Sequence, residues 1–287
     1  MYETSPGLHP SSKKQFVSAA SGCADRNERF LSSQPTRHLR LNKAIASSGL
    51  CSRRKADELI SQGKVTVNDR VVTELGIKID PARDMVAVQG THLDIPLPDT
   101  GPDVTVVLHK PVRVVSTASD PQGRQTVIDL LAEHDRKLRL VPVGRLDFLS
   151  EGLLLLSNSG ELIHRLTHPR WHVPKTYQVL VSGNVESSRL DPMRQGMTLE
   201  EGERLAPVTA TVGQRTQAGT WIELELHQGL NRQIRRMCRD LDLTILRLIR
   251  TRQGPISLGT LPRGTTRPLQ GRELDRLRSS VGLGESS

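Results

Sequence analysis

The stretch "VGRLDFLSEGLLLLSNSGEL", Val143 to Leu162, sets a lone acid between an arginine and an apolar run. Leu153 to Leu156 are four consecutive leucines, too apolar for a surface loop. A short continuous apolar run between turn residues reads as a buried strand. "SGELIHRLTH" then reads as a short helix stopped by Pro169. Asp147 follows Arg145 by two positions at the edge of this core. Glu151 is close in sequence and could be a second acid, but it is followed by Gly152 and reads as a loop-edge residue.

Outward from this stretch, the chain from about Val104 to Leu277 alternates strand-like and helix-like runs. "DVTVVLHKP" is a buried strand and a turn, and "KTYQVLVSG" and "TWIELELHQG" alternate apolar and polar residues as strands do. "NRQIRRMCRDLDL" reads as a helix, and "TILRLIRTRQGPISLG" returns to strand. Strands outnumber helices, and several connections are too short for crossovers. The pattern predicts an α+β domain with a large, mostly antiparallel mixed sheet.

Upstream, "THLDIPLPDTGPD", residues 91–103, reads as a Pro-rich linker. Residues 1–38 have no sustained period and read as a disordered tail, and residues 278–287 as a second tail. Between them, residues 39–90 form a separate module. A helix reads from Leu41 through Ile45 with Gly49 as its stop, and Ser52 can cap a second helix carrying Ala56, Leu59 and Ile60. "KVTVNDRVV" gives two short strands around Asn68-Asp69. Arg53, Arg54 and Lys55 crowd the first turn of the second helix, where cations oppose the helix dipole. Such a cluster suits a solvated face or a surface that meets phosphates.

The 287 residues carry a net charge of +9 and a pI near 9.9, which favours a polyanionic partner. Arg outnumbers Lys, as phosphate and base contacts would ask, although a GC-rich genome gives the same bias. The three cysteines are far apart with no C-x-x-C pair, so neither a disulfide framework nor a zinc site is expected, in keeping with a reducing cytoplasm. No apolar run is long enough to span a bilayer, and no membrane partner is expected. Phosphate-binding loops, dinucleotide fingerprints and a G-x-S-x-G elbow are absent from the sequence, so nucleotide cofactors have no obvious seat. His164, His168 and His172 are spaced by four, but Pro169 interrupts the helix that would align them, and no metal site is expected there.

A lone carboxylate can be a nucleophile, a general base or an ion-pair partner. A nucleophilic carboxylate shielded from water needs a cation to hold it ionised. At about 100° per residue, Ile234, Met237, Cys238 and Leu241 share one helical face, and Arg232, Arg236 and Arg239 point away from it. Arg235 falls at the boundary, where it can reach a carboxylate at the core edge. Tyr177 shares a strand face with Val179 and Val181, so it reads as a core tyrosine or as a platform for a flipped base.

"RLNKAIASSGLCSRRKADELISQGKVTVNDRVV" resembles an S4 domain, a small RNA-binding module. "HKPVRVVS", "GRLDFLSEGLLLLSNSGEL", "LTHPRWHVPKTYQV", "GLNRQIRRM" and "LPRGTTRPL" resemble, in order, the motifs of the ribosomal RNA pseudouridine synthases of the RsuA/RluB/RluF branch. The resemblance implies an S4 module over 39–90, a catalytic domain over 104–277 and isomerisation of uridine without cofactor or metal. It implies that Asp147 is the nucleophile, that Arg145 helps hold the flipped nucleotide out, that Tyr177 stacks on the base and that Arg235 pairs with the nucleophile. Arg40, Lys43, Arg53, Arg54 and Lys55 are the expected RNA contacts of the module. Two departures stand out: Arg113 replaces the family's usual Gly after "KP", and Ser150 stands where Thr is common, neither expected to touch those four residues. The motif around Arg235 favours 23S large-subunit RNA over small-subunit RNA; transfer RNA remains open, as do a non-catalytic assembly factor and a nucleoside hydrolase. A monomer in the cytoplasm is expected.

Overall fold

The computed structural model describes residues 38–95 and 102–284. The tail read over 1–38 lies outside them except for His38. The chain divides into two compact units, Met1–Thr100 and Gly101–Ser287.

In the first unit the elements run β1 (Leu39–Arg40), α1 (Leu41–Ser47), α2 (Arg53–Ser61), β2 (Val65–Val67), β3 (Arg70–Val72), β4 (Lys78–Ile79), β5 (Val86–Val88) and β6 (Thr91–His92). The Ser52 hydroxyl accepts from Lys55 N at 3.2 Å and caps α2. Asn68 and Asp69 both take positive φ, 49° and 63°, which suits the tight turn joining two antiparallel strands. Leu41, Ala44, Ile45, Ala56, Ile60 and Val65 build the core. The stretch read as linker begins too early: β6 pairs with β5, and Leu93 and Ile95 pack on this core. Leu93 and Ile95 stand just ahead of the first proline of that stretch, so composition alone hides those contacts. Residues 96–101 lie outside the described residues.

The second unit contains β7 (Thr105–Lys110), α3 (Glu133–Arg136), β8 (Val141–Pro142), β9 (Glu151–Ser157), α4 (Gly160–Thr167), β10 (Lys175–Val181), α5 (Asp191–Gln195), β11 (Thr209–Thr216), β12 (Gly219–Leu226), α6 (Gln233–Asp240), β13 (Ile245–Gln253), β14 (Ile256–Ser257), β15 (Thr266–Pro268) and α7 (Gly271–Ser279). Its nine-stranded sheet runs β11-β12-β10-β13-β9-β7-β15, with β14 on β13 and β8 on β9. Among the strands of this sheet only β13 and β9 pair in parallel, through Ile249↔Glu151 and Arg250↔Gly152.

The leucine run of β9 is apolar throughout because both of its faces are covered. Leu153 and Leu155 pack with Leu162 and Leu166 of α4 and Leu277 of α7. Leu154 and Leu156 pack with Val114, Val127 and Leu146 from the loops on the other side. Ile234, Met237 and Cys238 of α6 join the core formed with β10 and β12. The C-terminal tail also starts later than expected: α7 runs to Ser279, and Val281 is fully buried beyond it. No helix among the described residues is long and apolar enough to cross a membrane.

Candidate active site

Asp147 lies in the loop between β8 and β9, and the loop is pinned from below. The Ser116 hydroxyl donates to Leu146 O and accepts from Leu146 N, at 2.8 and 3.1 Å. Lys110, at the end of β7, is fully buried, and its Nζ donates to Pro111 O, Asp147 O and Ser150 O at 2.9, 3.2 and 2.9 Å. An ammonium has three donors, and all three are used. Burial pushes its pKa down to about 8, with the Arg250 charge adding to the fall and Asp147 and Glu151 opposing it. Nothing in the sequence distinguished Lys110 from the other lysines except its place after a buried strand.

Arg235, in the first turn of α6, donates through Nε to Asp147 Oδ2 at 3.3 Å. Its Nη2 donates to Leu149 O at 2.9 Å and to Ser150 Oγ at 3.1 Å. Ser150 therefore does touch one of the four matched residues, against expectation: its buried hydroxyl helps to orient the cation beside Asp147. Of the other helix arginines, Arg236 is engaged by Glu203 and Arg239 by Glu201. Glu151 is not at a loop edge either. It is the first residue of β9, buried, and its two oxygens are taken by Arg247 and Arg263. A carboxylate so neutralised is not free to serve as a second acid.

Tyr177 is half-buried in β10, opposite Leu224 of β12 and Arg250 of β13. Together Arg145, Asp147, Tyr177 and Arg235 line one cleft of about 390 Å³, within the roughly 300–1,000 Å³ of small-molecule sites. Arg145 is exposed at its rim. Lys175, Arg232 and Arg250 add three more cations, and Asp147 is the one carboxylate among the lining residues. Such a cleft favours an anionic ligand. Lys175, Arg250, Gln233 and Gln253 also line the cleft; the last three are buried and Lys175 is half-buried, yet nothing in their sequence context singled them out, because their strand and helix faces read as ordinary surface.

The His164 and His168 rings lie 5.2 Å apart, tilted at 47°, while His172 leaves the helix after a 3₁₀ turn, Pro169–Trp171. Among the described residues no cluster of three or more His, Cys, Asp or Glu could hold a metal ion. In the first unit Arg40, Lys43, Arg53, Arg54 and Lys55 are all exposed. Lys55 is bridged to Glu58 at 2.8 Å, and Arg53 reaches Asn42 Oδ1 at 3.4 Å.

The chain matches the family described as RNA pseudouridylate synthase over residues 104–240 and the S4 domain over residues 39–86. It is 38% identical to ribosomal large subunit pseudouridine synthase B of Bacillus subtilis over 251 residues, covering 86% of this chain and 99% of that one. It is 36% identical to the protein of the same name from Haemophilus influenzae over 250 residues, covering 85% of this chain and 68% of that one. A solved structure described as a crystal structure of pseudouridylate synthase superimposes with a TM-score of 0.59 at 26% identity, covering 83% of this chain and 99% of that one. With similarity of this degree over most of its length, the chain belongs to the RNA pseudouridine synthases, isomerases that convert uridine to pseudouridine in RNA, and carries an S4 domain ahead of the synthase domain.

Proposed function

We propose that this protein isomerises a uridine in ribosomal RNA, of the large subunit, with Asp147 as the nucleophile. The observation that carries the reading is the Asp147–Arg235 pair lining one basic cleft together with Tyr177. The names of the relatives from Bacillus subtilis and Haemophilus influenzae support the large-subunit RNA. Asp147 attacks C1′ of the flipped nucleotide, the base detaches and turns on Tyr177, and C5 returns to C1′ as the carboxylate leaves. Arg235 holds Asp147 in place, and Arg145 occupies the space the nucleotide vacates. No cofactor is needed, because the base leaves C1′ through N1 and rejoins the same carbon through C5, an isomerisation with no net oxidation or reduction. The cations Arg40, Lys43, Arg53, Arg54 and Lys55 grip phosphate, and a folded hairpin recognised by shape fits a chain so poor in aromatics. The protein works as a cytoplasmic monomer.

Asp147→Asn tests the chemistry. The Asp147 side chain is 37% exposed, and Arg235 keeps two other acceptors when the carboxylate is gone. The substitution therefore costs about 1 kcal/mol or less of stability. RNA affinity is expected to stay near that of the wild type, and pseudouridine yield in a single turnover with excess enzyme is expected to fall to zero. Product from a well-folded Asp147→Asn protein would end the nucleophile assignment. Mapping pseudouridines in ribosomal and transfer RNA from cells with and without the gene identifies the substrate, and release of free uracil would mark a hydrolase instead.

A further inference from the structure

The floor of the cleft holds an irregularity that the reaction so far leaves unused. Along the β10–β13 pairing, Thr176 faces Arg252 and Tyr177 faces Arg250, so Thr251 is passed over in a bulge. In a regular strand, residues three apart point to opposite faces. The bulge instead lets Arg250 and Gln253 share the face opposite Tyr177 and Lys175, and both are buried, at 2% and 1% exposure.

Each of the two keeps a polar atom without a hydrogen-bond partner: Arg250 Nη2 and Gln253 Oε1. Gln233 Nε2 is a third. All three residues line the cleft that holds Asp147. Buried orphans are costly and are seldom kept without a use. Arg250 has no carboxylate partner among the described residues; its Nε donates to Leu153 O at 2.7 Å. Its charge also adds to the burial that holds Lys110 and Lys175 down to about 8. The nearby carboxylate that could neutralise it, Glu151, is committed to Arg247 and Arg263. The floor thus carries more buried positive charge than the resting protein uses.

A neutral uridine does not call for that charge, but a detached uracil does. When Asp147 bonds to C1′ and the C1′–N1 bond breaks, the electron pair leaves with N1 and spreads onto O2 and O4. The base is an anion until C5 bonds to C1′ and expels the carboxylate; C5 then loses its proton and N1 gains one. We propose that Arg250 is a catalytic residue for the detachment step: with Gln253 beside it and Lys175 across the strand, it forms a subsite for the uracil anion, its guanidinium donating to a carbonyl oxygen while Gln253 Oε1 accepts N3–H. This deepens the reading of Asp147 as nucleophile and rests on it. Preorganised donors aimed at charge that develops during a reaction contribute most in a site closed to water.

The test uses the full chain and a ribosomal RNA fragment that the wild-type enzyme modifies, made with uridine or 5-fluorouridine at the target position. Fluorine stabilises the uracil anion, so a group that stabilises the same charge becomes less necessary. Arg250→Met is expected to slow consumption of the target uridine in a single turnover by about 100-fold, with RNA affinity unchanged. On 5-fluorouridine the loss is expected to shrink at least several-fold. Gln253→Met is expected to slow the uridine reaction by about 10-fold with no fall in thermal midpoint. Equal losses on both substrates, tracking a fall in thermal midpoint, would assign Arg250 to its bond with Leu153 O and overturn the proposal. So would wild-type rates in both variants. If Arg250→Met does not fold, Gln253→Met decides alone, because its Oε1 holds nothing in the resting protein. Asp147→Asn runs alongside: product there removes the reaction reading itself, whereas an inert Asp147→Asn with a fully active Arg250→Met removes only this inference.

Discussion

Arg113 sits at φ 64°, in the left-handed region, with its amide donating to Phe148 O at 2.6 Å. The turn after Lys110-Pro111 therefore keeps the conformation that a Gly would adopt freely, and the departure from the family pattern changes the residue and not the turn. An L-residue pays roughly 1–2 kcal/mol there, and part of that is offset by the greater freedom of Gly in the unfolded chain. Arg113→Gly is expected to stabilise the protein by about 0.5–1 kcal/mol, read as a higher urea midpoint at constant slope. A lower midpoint would show that the Arg113 side chain makes a stabilising contact that outweighs the strain. At this scale the sequence disclosed residues whose type is odd for their surroundings. Asp147 stood at the edge of an apolar run, and Arg235 fell at the border of a helical stripe. It did not disclose Lys110 or Arg250, because a chain with 40 Lys and Arg offers no reason to pick out these two, which the fold buries.

Among the elements, β9 decides the most. Its apolar run announced a buried strand, and the two-residue alternation of β10 and β12 announced two more. The seam between β9 and β13 was not legible, because parallel partners lie far apart in sequence and leave no turn to mark them. Gly152 is the residue on which that seam depends. Its φ is 111°, and a Cβ there would run into the backbone oxygen and nitrogen of Arg250. Backbone cannot step aside as a flexible side chain can. Gly152→Ala is expected to destabilise the protein by about 3 kcal/mol or more, measured by thermal and urea unfolding. An unchanged midpoint would mean that the two strands have slack at this crossing. The bulge at Thr251 was equally hidden, since "RLIRTRQ" reads as a plain alternating strand.

For the whole molecule, composition suggested two hydrophobic patterns on either side of a Pro-rich stretch, and Leu93, Ile95 and Val281 look like linker and tail until their packing is known. The unit from residue 101 onward has its own cores, so a chain of residues 101–287 is expected to fold without the first unit. It should still form pseudouridine when RNA is saturating, and its binding should be weaker and less sensitive to salt. Each lost phosphate contact removes about 0.9 from the slope of log affinity against log salt for a duplex. Lys55, already bridged to Glu58, should contribute less to that slope than Arg54. An unaltered slope would show that the S4 unit does not touch the RNA backbone. The parallel seam has a further consequence, in the time it takes to make an active enzyme. Asp147 and Arg235 are 88 residues apart in the chain, and Arg250 meets Leu153 across 97. Contacts this distant form late in folding. During synthesis the acid emerges from the ribosome well before its guanidinium partner and before the strand that floors the cleft. The growing chain therefore carries a finished S4 unit, able to engage RNA, for some time before it carries a catalyst.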